Sequence, residues 1–301
     1  MARSASIFFI LLISFCFSAT GYSGLSAWTS PYRMALGGSG LLLYSSASSH
    51  ANPSAIYKDR IFSTGLIRYP AGITSQSLAT NIPREKGVAG FSVSHISYGI
   101  FDGYDDEANP TSDYYSSDTW IKANYSAIYK NSPFQYGSAI SFFSSNLNEA
   151  KTRTFLISTG GQLYFKKIKT NVGIGFQNYS IKKIRLSGNG YMFPHRINIS
   201  ISKDLAYLPM KIFFDVEKIS RSKNINIYLG GQVNATPSIK FLWGTSSKKI
   251  EHNIQQNLWK TLLGGSGLGF IYLTETTKII YGLYIFGTGS IVQGIELEFS
   301  F

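Results

Sequence analysis

The chain has one cysteine in 301 residues, Cys16, and that one sits in a leading apolar stretch. A disulfide framework, a zinc-thiolate site and a thiol nucleophile are therefore excluded from the body of the protein. Charge is also scarce. Asp, Glu, Lys and Arg make up 15% of the residues, where a soluble domain carries about 25%. Histidine occurs four times, at His50, His95, His195 and His252, with no two at a helical metal-pair spacing, so each reads as a structural or loop residue. Beyond residue 21 no apolar run approaches the roughly 18 residues that a membrane helix needs, and no transmembrane helix is expected.

Aromatic and small polar residues take the place of charge. The chain has 20 Tyr, 21 Phe and 29 Gly, and its 28 Lys+Arg against 16 Asp+Glu give a net +12. Many aromatics with Ser, Thr, Asn and Gln suit a sheet with one face in lipid and the other lining an interior. The basic excess falls in turns such as Lys166-Lys167-Ile168-Lys169, the stretch Ser180–Arg185 and Ser246-Ser247-Lys248-Lys249, which fit charged hairpin ends as well as contacts to anionic lipid. Nucleic-acid binding is not indicated, because the aromatics follow strand periodicity and form no compact basic surface.

Met1-Ala2-Arg3, the apolar run 7–17 and the small residues Ser18, Ala19 and Gly21 have the layout of a secretory signal peptide, giving a boundary at 1–21. Ala19 and Gly21 fit one cut, Cys16 and Ser18 another. Phe15 before Cys16 argues against lipidation. Residues 22–60, rich in Ser, Gly and Ala, are expected to form a short strand, coil or helix at or in the mouth of a barrel spanning 61–301. Gly37-Gly38-Ser39-Gly40 lacks the Lys and Ser/Thr of a phosphate-binding loop.

From 61 onward, segments of about ten residues alternate in polarity between turn residues, at a spacing that leaves no room for crossover helices. Strands are expected near 61–68, 88–99, 117–129, 135–145, 153–165, 171–182, 195–203, 209–218, 224–234, 237–244, 263–275, 278–287 and 290–301. In the segment Asn171–Ile181, Val172, Ile174, Phe176 and Asn178 should share one face, and Gly173, Gly175, Gln177 and Tyr179 the other. The last strand places Ile291, Gln293, Ile295, Leu297, Phe299 and Phe301 outward and Glu296, Glu298 and Ser300 inward. The expected fold class is all-β, a closed antiparallel outer-membrane barrel.

Three motifs carry a family resemblance. Arg33-Met34-Ala35-Leu36-Gly37-Gly38-Ser39-Gly40, the stretch Tyr44–Ile56 with Asn52-Pro53-Ser54, and Tyr98-Gly99-Ile100-Phe101-Asp102-Gly103-Tyr104-Asp105 resemble the PorV/PorQ family of the fatty-acid-transporter-like barrel superfamily. The third segment is most like PorQ-type members, and Ser54 stands where the family more usually has Ala. The resemblance implies 14 strands, with the N-terminal region at or in the lumen. It also implies localisation in the cell outer membrane and a non-enzymatic role in a type IX secretion and surface-attachment complex, with PorZ-like, PorU-like and PorV-like partners and contact with outer-membrane lipid and anionic lipopolysaccharide. It implies no catalytic residue, cofactor or metal.

Two groups of site residues follow. Phe101, Asp102, Tyr104, Asp105, Asp106 and Glu107 combine apolar area with fixed negative charge and are the candidate partner-contact loop; their spacing fails the calcium-loop template. Gly37, Gly38, Asn52 and Pro53 form the candidate N-terminal lumen motif. The alternative function is an outer-membrane channel for hydrophobic or small solutes, which the same barrel would permit; a soluble secreted sandwich is a third.

Overall fold

The computed structural model describes residues 27–44, 51–56, 59–105, 107–130, 132–147, 150–181, 184–186, 189–191, 193–220, 222, 224–251, 263–286 and 289–301. The expected signal peptide, His50, His252, Asp106 and the pair Lys182-Lys183 lie outside them.

The barrel strands are β1 (Ile61–Arg68), β2 (Thr74–Arg84), β3 (Gly87–Tyr104), β4 (Pro110–Ile128), β5 (Phe134–Leu147), β6 (Ala150–Phe165) and β7 (Thr170–Ser180). After a short separate hairpin, β8 (Ile184–Leu186) with β9 (Asn189–Tyr191), they continue as β10 (Arg196–Asp204), β11 (Met210–Ile219), β12 (Ile225–Asn234), β13 (Ile239–Ser246), β14 (Ser266–Leu273), β15 (Thr277–Ile285) and β16 (Ile291–Ser300). Each barrel strand pairs antiparallel with its neighbours, and β1 closes on β16 from Ile61↔Ser300 to Arg68↔Gln293. The result is a closed antiparallel barrel of 14 strands. Closure leaves no unpaired edge, which is the condition for strands to cross hydrocarbon.

The alternation in sequence becomes an inside and an outside. On β16, Ile291, Ile295 and Phe299 project outward while Val292, Glu296 and Glu298 are buried inside. On β7, Ile174 points out and Gly173, Gly175 and Gln177 point in, but the expected phase fails at its far end. Asn178 takes φ 59, and the β6–β7 register shifts between Ile157 and Thr159. A bulge of this kind adds one residue to one strand and reverses every face beyond it. Tyr179 is therefore outward and Ser180 inward. Strand β2 was not expected from the sequence. Its only large apolar residues, Leu78 and Ile82, are both outward, Pro83 lies near its end, and its inward positions are small or polar, such as Ser75, Ala79 and Asn81.

The turns β2–β3, β4–β5, β6–β7, β10–β11, β12–β13 and β14–β15 are short, and the chain ends on that side at Phe301. The longest connections, 181–195 and 247–265, lie at the opposite end. Short turns face the periplasm and long loops the exterior in outer-membrane barrels. The wall is uneven: β3 and β4 have 18 and 19 residues, β1, β13 and β14 only 8. About 9 to 11 residues span the membrane, so the β3–β4 hairpin stands clear of it on the outer side. Register shifts at Ser97/Gly99 and Phe101/Gly103 bend that projecting part. Lys248 and Lys249, expected in a turn, open a short helix, Lys248–Glu251.

The N-terminal segment fills the lumen. It contains one helix, α1 (Pro31–Ala35), and no strand among the described residues. Met34, Ala35, Leu36, Leu41, Ala51, Asn52, Ser54, Ala55 and Ile56 are buried to within 1% of completely. Enclosing each Leu, Ile or Met side chain contributes roughly 1.5–3 kcal/mol. The wall accommodates this plug through missing side chains. A Cβ on Gly244 would lie 1.9 Å from the Leu36 carbonyl oxygen, on Gly267 2.1 Å from that of Met34, and on Gly282 2.3 Å from that of Pro31. These glycines form inward rows across paired strands, Gly230↔Gly244↔Gly267 and Gly269↔Gly282↔Gly294. A third row is Gly137↔Gly160↔Gly175, whose first two members lie beneath Pro53 and Asn52.

Gly244→Ala should therefore displace the plug while sparing the barrel. The expected loss is about 1–3 kcal/mol of plug docking, read as faster proteolysis of the N-terminal segment. Unchanged protection would show that the contact is not needed to seat the plug.

Candidate functional site

Helix α1 starts at Ser30, whose hydroxyl oxygen accepts from the Arg33 N–H at 3.4 Å and donates to Glu296 at 3.2 Å. Pro31 follows at the first helical position, where its missing N–H costs nothing. Gly37, Gly38 and Gly40 all have positive φ (64°, 99° and 83°), so the chain turns sharply after one turn of helix. Tyr32, Ala35, Leu36 and Leu43 then pack on Phe213, Leu242, Ile271 and Ile280, and Met34 packs on Ile67, Tyr284 and Val292. Apolar residues thus face inward where the helix leans on the wall.

The Asn52-Pro53-Ser54 segment is held by polar contacts instead. The Asn52 carboxamide oxygen accepts from Ser54 N (3.0 Å) and Oγ (2.8 Å), and its Nδ2 donates to the Ile174 carbonyl (3.3 Å). The Ser54 carbonyl accepts from Ser126 Oγ (3.1 Å) and Gln162 Nε2 (3.0 Å). Tyr44 joins through Gln135 and Gln162. The Ser54 hydroxyl thus supplies an internal hydrogen bond that alanine would lack. Where the plug enters the mouth, Trp28 N donates to the Tyr69 hydroxyl, which donates to the Trp28 carbonyl at 3.1 Å. Burial pushes the Tyr69 phenol pKa well above its ordinary value.

Charged side chains unforeseen as site residues complete the seat. The Gly40 N–H donates to Asp215 at 2.6 Å, and Arg33 donates to the Gly38 carbonyl at 3.0 Å while lying in the field of Glu217 and Asp215. Glu217 in turn accepts from Arg196 at 3.3 Å and from the Tyr228 hydroxyl at 3.1 Å. On the adjacent strands β15 and β16, Lys278 pairs with Glu298 at 2.8 Å and sits 4.7 Å from the Tyr32 ring centre. The signal was available in the sequence: Asp215 and Glu217 alternate with Phe214 and Val216, so their inward phase could be counted.

On the outer side, the inward wall becomes apolar. Ile96, Trp120, Phe143 and Leu156, from β3 to β6, enclose Phe193, which descends from the 181–195 connection. Trp120 and Phe143 are 4.7 Å apart between ring centres, and Phe143 and Phe193 5.0 Å. Ala27, Ile73 and Tyr98 border this cluster, and the Tyr98 hydroxyl donates to Asp118 at 2.8 Å. The three aromatic rings meet tilted or edge-on, the arrangements that ring quadrupoles favour.

The candidate partner loop lies far from both regions, at the tip of the β3–β4 hairpin. Phe101 stacks on Tyr114 at 5.4 Å, while Ile100 and Tyr104 are 74% and 63% exposed. The Asp105 carboxylate closes the turn: it accepts from Asn109 Nδ2 (3.0 Å), Asn109 N (2.8 Å) and Glu107 N (3.0 Å). These bonds, the Asn109 side chain foremost, hold its pKa below the usual carboxylate value. His95 bonds Thr119 and Tyr115, and His195 packs on Phe176. Among the described residues no three His, Cys, Asp or Glu side chains are grouped closely enough to hold a metal ion.

No protein-family profile matches the sequence, and no curated protein is similar to it by sequence. Solved structures share its fold. The Pseudomonas putida toluene transporter TodX superposes with a TM-score of 0.60 at 10% identity, over 90% of this chain and 98% of that one. A TodX monoaromatic hydrocarbon channel lacking S2 and S3 gives 0.59 at 11%, over 90% and 99%. A Pseudomonas aeruginosa FadL homologue gives 0.55 at 9%, over 91% and 98%. The fold is that of an outer-membrane β-barrel, and the protein is located in the outer membrane.

Glu217→Gln should leave the Arg196 guanidinium without its counter-charge and destabilise the barrel by about 3 kcal/mol, seen as a lower urea midpoint in detergent. Asp105→Ala should instead speed amide exchange at Glu107 and Asn109 and leave that midpoint unchanged. Because the Asp105 pKa is depressed, the turn's hydrogen bonds should persist above the unfolded carboxylate value and weaken only as pH falls through the folded one.

Proposed function

We propose that the protein is a non-enzymatic outer-membrane channel for small hydrophobic solutes, with its N-terminal segment as a displaceable stopper. The observation that carries this reading is the apolar cluster of Ile96, Trp120, Phe143 and Leu156 at the outer mouth, on the side of the lumen whose deeper wall presents Ser, Asn and Gln to the plug. Phe193 fills it as an aromatic solute would. The fold shared with a toluene transporter and a FadL homologue supports the same solute class. Passage requires the plug to move, since α1 and the Asn52-Pro53-Ser54 segment are buried against opposite walls. They are seated by side-chain contacts that can open and re-form.

The β3–β4 hairpin favours a second reading. Its exposed Ile100, Phe101, Tyr104 and Tyr115, beside Asp102, Asp105 and Glu107, give a surface suited to a protein partner. This is the type IX role, in which the barrel anchors a PorZ-like surface protein near PorU-like and PorV-like components and lipopolysaccharide.

Proteoliposomes loaded through the protein with a labelled monoaromatic hydrocarbon separate the two. Under the channel reading, uptake exceeds that of empty vesicles, and Trp120→Ala with Phe143→Ala lowers it roughly tenfold, equivalent to about 1.4 kcal/mol. Uptake equal to empty vesicles, with recovery of a surface protein from solubilised outer membranes that is lost on Phe101→Ser/Tyr104→Ser, would replace the channel by the anchor.

A further inference from the structure

At the periplasmic end, the two-residue β2–β3 turn stops short of the neighbouring β4–β5 hairpin and leaves a notch in the rim. We propose that this notch binds the phosphate head group of an anionic phospholipid from the periplasmic leaflet. It encloses a cavity of about 910 Å³, within the size of small-molecule sites, roughly 300–1,000 Å³.

Its walls combine two chemistries. Arg84 and Lys86 from one turn and Lys130 from the other supply three cations, against one carboxylate, Glu85. Tyr125, Tyr129 and Tyr136 supply rings, all on the lipid-facing side and each 42–49% exposed. Gly87 makes room for the first of these. A Cβ there would lie 2.8 Å from the Tyr125 ring and 2.3 Å from the Ser126 carbonyl oxygen. Lys130 lies 5.3 Å from the Tyr129 ring centre, which holds its ammonium beside the notch.

Tyrosines at this level belong to the interfacial belt of a membrane barrel, where phosphates and glycerol backbones lie. Cations directly beside the belt meet phosphodiester oxygens, to which arginine can donate two parallel hydrogen bonds. The cavity is lined from both faces of the wall, by outward Tyr125 and Tyr136 and inward Ser126 and Gln135, and so sits on the rim itself. That shape admits a head group attached to chains still in the bilayer. Lys166 and Lys167, on the next turn around the rim, take no part in the cavity.

Native mass spectrometry of the full-length barrel tests this after exchange into detergent with dioleoylphosphatidylglycerol, dioleoylphosphatidylethanolamine or inorganic phosphate. The expected result is retention of one phosphatidylglycerol per barrel, about tenfold over phosphatidylethanolamine. Arg84→Ala/Lys86→Ala/Lys130→Ala should remove that preference, whereas Lys166→Ala/Lys167→Ala should keep it. If the triple variant loses the heat-modifiable mobility of a folded barrel, Lys130→Glu alone should give the same loss. Equal retention by wild type and notch variants overturns the proposal. So does saturation by inorganic phosphate without retained lipid, which identifies a free-anion site.

Discussion

The lumen is organised by the close approach of two backbones. Carbonyl groups of the plug lie on the strands so nearly in contact that a single Cβ at Gly244, Gly267 or Gly282 would overlap them. Packing at this distance leaves no room for an intervening layer of side chains. The rest of the interior follows from it. Apolar residues of β11 and β13–β16 gather where α1 touches, while Asn, Gln and Ser of β4–β7 gather where the Asn52-Pro53-Ser54 turn presents polar atoms. Glycine in a strand interior costs backbone entropy, and the plug's buried apolar area offsets that cost on the positions it covers.

Charge sets the plug's orientation within that steric frame. Asp215, Glu217, Glu296 and Glu298 all project inward from β11 and β16, and each has a partner on the plug or on an adjacent strand: Gly40, Arg196 with Tyr228, Ser30 and Lys278. Buried ions demand specific partners because leaving one unpaired is expensive. The two that reach the plug, Asp215 to Gly40 and Glu296 to Ser30, therefore discriminate among positions of the plug that packing alone would tolerate. Above them, the aromatic cluster of Trp120, Phe143 and Phe193 faces the same interior with no such demand, which is why the mouth and the seat have different chemistry.

The barrel was legible because lipid on one side and a packed lumen on the other force a period of two. The final strand shows it fully, from Ile291 to Phe299. Strand β2 was missed because its inward positions are small and polar and a proline lies near its end. The Tyr179 face was wrong because Asn178 in the left-handed region adds a residue that no hydrophobic pattern announces. Of the N-terminal motif, Gly37, Gly38, Asn52 and Pro53 were visible as turn residues, but their seats on Thr245, Tyr228, Gly160 and Gly137 come from strands about 80 to 210 positions away. For the Arg196–Glu217–Tyr228 group the inward phase of Glu217 could be counted, but its partners come from β10 and β12 and only the register brings the three together.

The terminal closure of the barrel also imposes an order on assembly. Ser30 is bonded to Glu296 across 266 positions, and α1 rests on β14, β15 and β16, the strands farthest from it in sequence. Helix α1 thus has no surface to fold against until those strands have formed. The segment settles only as β1 meets β16. The act that seals the cylinder also creates the surface on which its stopper rests.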